Sequence, residues 1–369
     1  MRPSPAMTSA LVFALLLTAA PSAAAQTRED ATDEPLLVVQ DGRYGYIDHS
    51  GRFVISPQYI WASDFGDGLA KVFLCGRMVS IDRQGNVWPL RLLVSDGLTF
   101  MEDDNGKKGF VDATGRWVIP PRYQSVLDFS EGLAPVEVNG KWGFIDSAGN
   151  EAISPRFDEA YRFLEGVAVV GLGDTYALID KNGHVLAQGF DVPGLPREGL
   201  IGVFMGDKWV YLGLNGHQAF PAQFESGNDF SDGLAAVERH KKLGYIDRKG
   251  QVVIPFQFDW AGDFSRGLAP ARQGDRSGFI DKSGRFVIDL SFEAAGSFGN
   301  GGVSGFWTKD YRQFGYVLTS GKIIWGPTPE SPDHPPLFGW TEDDRERSCE
   351  GVPDLLRQRI ASFPPIPRN

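Results

Sequence analysis

Short apolar runs alternate with turn-forming residues along most of the chain, and the runs are too short for helices. Triplets such as Phe144-Ile145-Asp146 and Trp117-Val118-Ile119 are β-branched or aromatic and read as strands. Between two such strands lies Asp-x-x-Gly. An Asp opening a turn accepts hydrogen bonds from backbone N–H groups two or three residues on, and the closing Gly takes a positive φ. This predicts a tight hairpin built on a type I turn with a Gly bulge. Pro57, Pro120, Pro155, Pro221 and Pro255 follow, and their missing N–H marks a strand end or bend. The stretches Leu133-Ala134-Pro135-Val136 and Leu234-Ala235-Ala236-Val237 supply a third strand.

The pattern repeats. Gly45-Tyr46-Ile47-Asp48 returns at 109–112, 143–146, 244–247 and 278–281, with weaker copies ending at Asp82, Asp180, Gly213 and Leu318. Three residues after the Asp slot every copy has Gly: Gly51, Gly85, Gly115, Gly149, Gly183, Gly216, Gly250, Gly284 and Gly321. Eight steps separate the first from the last, about 34 residues each, a period typical of repeat arrays. Eight residues after that Gly stands Tyr59, Tyr123, Phe157, Phe224, Phe258 or Phe292. Fourteen after it stands Phe65, Phe129, Phe163, Phe230, Phe264 or Phe298. Units two and five break this register, and unit two is shortened.

A three-stranded unit of this size cannot cover its own aromatic face, so stacking on neighbours must supply the stability. The expected fold is all-β: about nine three-stranded units over residues 37–326. An open solenoid-like stack is favoured, since nine units exceed the usual propeller blade number; a β-propeller-like ring is the alternative.

The unit resembles the WG (KWG) repeat family of bacterial proteins, whose pattern runs Trp-Gly-aromatic-Ile-Asp, Gly, Val-Ile-Pro, Tyr-Asp, Phe-x-x-Gly-Leu-Ala. Lys141-Trp142-Gly143-Phe144-Ile145-Asp146 matches best. The Trp slot otherwise holds Tyr44, Met78, Lys108, Tyr176, Leu243, Ser277 and Phe314, with Trp209 out of pattern, which implies a partly exposed slot. The resemblance implies an interaction protein and carries over no active site.

The ends differ from the array. Residues 1–25 have the secretory layout: Arg2, an apolar core at 10–17, and Ala23-Ala24-Ala25 for cleavage. Residues 26–36 form a short lead. Residues 327–369 hold nine of the 24 prolines and read as an extended linker, followed by a short helical pattern at 354–363 that caps the array or trails from it. The expectation is an exported chain with no membrane span. Cys75 and Cys349 either pair or stand as two thiols.

A net charge of -11 argues against a nucleic-acid partner. The turn carboxylates Asp48, Asp82, Asp112, Asp146, Asp180, Asp247 and Asp281 lie one per unit, too far apart in sequence for a calcium loop, and read as turn caps. The five His have no metal-site spacing, and His49, His184 and His217 beside turn Gly residues are expected in solvent. Neither a nucleophile elbow nor a phosphate loop is present, so no cofactor is expected. The row two residues past the first aromatic slot varies instead: Trp61, Ser125, Glu159, Ser226 and Trp260, preceded in four of the five by Gln124, Asp158, Glu225 and Asp259. Trp61 and Trp260 with Asp158, Glu225 and Asp259 either form a ligand row or, for the two Trp, pack between units. The reading is a non-enzymatic scaffold for another envelope protein, with a cell-wall glycan as the alternative ligand.

Overall fold

The computed structural model describes residues 34–66, 68–90, 95–221, 223–299, 301–308, 311–328, 346–350 and 352–362. The stretch expected to be a secretory signal, residues 1–25, and most of the Pro-rich segment lie outside these. Nine antiparallel sheets follow one another along the chain, five of three strands and four of four.

Sheet four shows the pattern. Its first strand, Leu133–Val138, pairs with the second, Lys141–Asp146, and that pairs with the third, Glu151–Phe157. Asp146 Oδ1 accepts the N–H groups of Ala148 and Asn150 at 3.0 and 2.8 Å, which fixes the turn into the third strand. Gly149 closes it at φ 82°. The pairing then slips, since Trp142 faces Phe157 while Phe144 faces Ile153. The bulge brings the third strand's backbone onto Gly143, where a Cβ would lie 2.5 Å from the Ile153 carbonyl and 2.7 Å from Pro155 N. Only glycine fits under a strand that a proline has bent.

The three-strand expectation missed a fourth element. A two-residue strand leads into sheets five, seven, eight and nine (Glu159–Ala160, Ser226–Gly227, Trp260–Ala261, Ala294–Ala295), and single bridges replace it at Ala62 and Val126. Sheet six has such a leading strand, Val192–Pro193, and among the described residues single bridges, Trp209 to Phe224 and Leu212 to Gln218, stand where a third strand would pair.

Three kinds of contact recur between neighbouring sheets. At six seams the aromatic of the Gly-aromatic-Ile-Asp motif meets the Phe that precedes the next sheet: Tyr46–Phe65, Phe110–Phe129, Phe144–Phe163, Tyr211–Phe230, Tyr245–Phe264 and Phe279–Phe298, with centroids 4.7 to 5.0 Å apart. Each such pair adds about 0.5–1.5 kcal/mol to the burial of its rings. Ser95, Ser130, Ser231 and Ser265 donate their hydroxyls to the carbonyls of Phe129, Phe163, Phe264 and Phe298. Carboxylates in the turn before each first strand accept the Gly N–H of the next: Glu131 takes Gly166 N at 3.0 Å, and Asp232 takes Gly267 N at 2.7 Å. Lys181 and Lys282 pair with the same two carboxylates.

The ninth sheet meets the first. The Tyr316 hydroxyl donates to the Leu37 carbonyl at 3.1 Å, and the Phe53 ring stands 5.5 Å from Trp325. Gly51 rests on Ile324 of the last sheet, as Gly149 rests on Ile119 and Gly183 on Ile153 elsewhere. Of the two arrangements left by the sequence, these contacts define the propeller-like one, with joined ends where an open stack would leave them apart. His49 is correspondingly not in open solvent. It is half-buried, packed so tightly on Gly301 that a Cβ there would overlap its ring.

Cys75 and Cys349 form a disulfide. It fastens the C-terminal helix, Asp354–Ala361, to the first two sheets, where Ile360 is 1% exposed among Leu37, Tyr44, Val72 and Leu74. The third strand of sheet two is only Val87–Trp88 and pairs no further than Ser80. The helix lies where that strand stops: Arg77 Nη1 donates to the Ile360 carbonyl at 3.2 Å, and the Arg359 guanidinium stands over the Trp88 ring. Since the array has no open end between its first and ninth sheets, the helix does not cap one; it covers a strand edge that the shortened unit leaves bare.

Candidate functional site

Trp61 is 3% exposed, so its ring is buried in the core and offers no face to a ligand. Trp260 is half-buried with its ring 6.5 Å from Phe292, in the core between the last two sheets. The carboxylates beside them are on the surface but engaged. Asp158 accepts Lys141 Nζ at 2.5 Å and Gly173 N at 2.8 Å; Asp259 repeats this with Lys242 and Gly274. Glu225 accepts the His240 and Lys241 N–H groups. Each therefore caps a hairpin between first and second strands. The Lys hydrogen bonds hold Asp158 and Asp259 below the usual carboxylate range, and the His240 N–H does the same for Glu225. The structure does not bring the five residues together as one ligand row.

The turn carboxylates are likewise occupied by their own turns. Asp48, Asp82, Asp112, Asp146, Asp180, Asp247 and Asp281 each accept the N–H groups two and four residues on. The Ser283 hydroxyl bonded to Asp281 is the largest cause of its pKa of about 2.

The variable row borders a cleft at the seam between sheets five and six. There Leu178 stands in the aromatic slot, Pro196 in the Phe slot and Leu164 in the Ser slot. Both the ring pair and the serine hydrogen bond are thus lost, and the smaller Pro196 leaves room. A cleft of about 260 Å³ results, lined by Tyr161, Arg162, Leu164, Val169, Tyr176 and residues 191–196. Tyr161 is 42% exposed and Val192 53%. The Tyr176 and Tyr161 hydroxyls donate to the same Glu159 oxygen, at 3.1 and 3.5 Å, and the rings lie 6.3 Å apart. That carboxylate keeps Tyr176 protonated by raising its pKa to about 12. The far wall is pinned by Asp229, whose Oδ1 accepts Leu195 N at 3.0 Å and whose carboxyl is pushed up by burial. The signal for this cleft was legible as three slot departures at one seam, but unit five reads from sequence as merely degenerate.

Nine joined antiparallel sheets make this a β-repeat protein of propeller-like form. The WG containing repeat matches residues 44–74, 109–142, 142–176, 211–242, 244–276 and 278–306, more than half of the chain, and the protein belongs to that family. No curated protein sequence matches it. Among solved structures it is similar to a eukaryotic initiation factor, at 11% identity with a TM-score of 0.54, covering 79% of this chain and 94% of that one. It also matches the dihydro-heme d1 dehydrogenase NirN (13%, TM-score 0.41, covering 79% and 72%) and a WD40 domain of Toxoplasma gondii coronin (14%, 0.32, covering 52% and 66%). The first likeness concerns the fold alone, and no argument rests on the other two.

Proposed function

We propose that this chain is an exported, non-enzymatic scaffold that binds another protein of the cell envelope. The observation that carries the reading is a recurrent pair of exposed apolar positions just after the Asp-x-x-Gly turns. Phe53, Val54, Trp117, Val118, Val185, Val252, Val253, Val287 and Ile323 are 37% to 53% exposed, all on third strands. Isolated exposed apolar residues are ordinary, but recurrence at these slots in sheets one, three, five, seven, eight and nine, with both slots filled in sheets one, three and seven, gives a repeated surface suited to a protein partner. The disulfide supports the oxidising compartment that export provides. Among the described residues no helix is long and apolar enough to cross a membrane.

The test is crosslinking in cells, comparing the native chain with a Val54→Lys, Val118→Lys, Val253→Lys variant. A discrete crosslinked protein lost in the variant, with the thermal midpoint kept, is the expected result. Full retention of that protein by the variant, or no crosslinked protein with the native chain, contradicts the proposal.

A further inference from the structure

We propose that the cleft between sheets five and six binds a neutral oligosaccharide, at a site separate from the apolar third-strand positions. The argument begins with its polar rim. Arg162 and Asp191 both line the cleft, and neither side chain has a hydrogen-bond or ion-pair partner among the described residues. The two free groups at the rim, one guanidinium and one carboxylate, balance each other, while the Glu159 and Asp229 carboxylates nearby are engaged by the Tyr161 and Tyr176 hydroxyls and the Leu195 N–H. A charged ligand would meet one favourable and one unfavourable group there. A neutral polyol suits both, since its hydroxyls donate to the carboxylate and accept from the guanidinium.

The floor fits the same ligand. Tyr161 and Tyr176 are held by one Glu159 oxygen, so their rings are preorganised, and the apolar face of a pyranose stacks on such rings at little entropic cost. Val192 and Leu195 extend the apolar surface beside them. The volume of about 260 Å³ is at the small end for ligand sites and matches one or two sugar rings of a longer chain.

The experiment is affinity electrophoresis of the full chain through gels containing a soluble β-glucan, α-glucan or mannan, with a proline-rich decapeptide titrated in parallel. Expected is retardation by at least one polysaccharide, unchanged across a salt series because the ligand is neutral. Tyr161→Ala is expected to weaken it about tenfold and Asp191→Asn severalfold, both with the native thermal midpoint. Retardation by none of the three polysaccharides, or retardation untouched by Tyr161→Ala, overturns the proposal. Peptide binding abolished by Tyr161→Ala overturns it too, and gives the cleft to a protein. The crosslinking of third-strand variants reads a different surface, so either proposal can fail alone.

Discussion

Truncating Trp61 to alanine is expected to lower stability by about 3–5 kcal/mol, the usual cost of removing a large aromatic side chain from a core. The side chain is 3% exposed and stands where the first two sheets pack, beside a residue that bridges to Val72. In a repeat array stability is close to a sum of interface contributions, so the loss falls on one seam and spreads through the joined ring. The thermal midpoint should drop on the order of 5–10 °C. Trp260→Ala, at a half-buried position, should cost less. A Trp61→Ala protein with native stability would mean that this ring is free for a ligand after all.

The second large effect concerns the disulfide. Cys75 and Cys349 are 274 residues apart in sequence, and closing so long a loop in the unfolded chain corresponds to as much as about 5 kcal/mol in the chain-entropy treatment. Beyond the disulfide, the docked segment is held by hydrogen bonds such as Gly76 N to Ser348 Oγ and Arg77 to the Ile360 carbonyl, by Val352 and Leu356 packed beside Ile360, and by one ion pair. Arg43 and Glu350 pair at 2.9 Å on the surface, worth up to about 1 kcal/mol, and burying Ile360 contributes roughly 2 kcal/mol. Ordering the residues of the C-terminal helix costs more than these together, at about 1–2 kcal/mol each. A Cys75→Ser, Cys349→Ser variant is therefore expected to release the helix. Amide exchange at 354–361 should rise to the level of an unfolded chain, with faster exchange in Arg77–Asp82, the strand whose edge it covers. Native protection of the helix in that variant would show that packing alone retains it.

How much of this was legible in the sequence follows from the range of the interactions. The Asp-x-x-Gly turns and aromatic slots are set by neighbours within one unit, so spacing alone located them. The two-residue leading strands are too short for any periodicity to register. Trp61 could not be assigned as core, because its slot holds Ser125 and Glu159 in other units and the pattern does not distinguish buried from exposed copies. The Lys141–Asp158 and Lys242–Asp259 pairs recur at one spacing of 17 residues, but a lysine and an aspartate so far apart in sequence carry no local signal that they meet. Ring closure has no local signature at all. It depends on the angle between successive sheets, accumulated over nine of them, and shows only in contacts such as Tyr316 with Leu37.

Closure is the claim on which the rest stands, since it presents the apolar third-strand positions around one ring and leaves the C-terminal helix no open end to cap. Small-angle scattering of the purified full chain tests it most directly. A ring of this length should show a radius of gyration near that of a compact domain, about 21 Å. Nine sheets stacked about 10 Å apart in an open array would give about 28 Å and a rod-like profile. The account predicts the smaller value, and the larger one would contradict it.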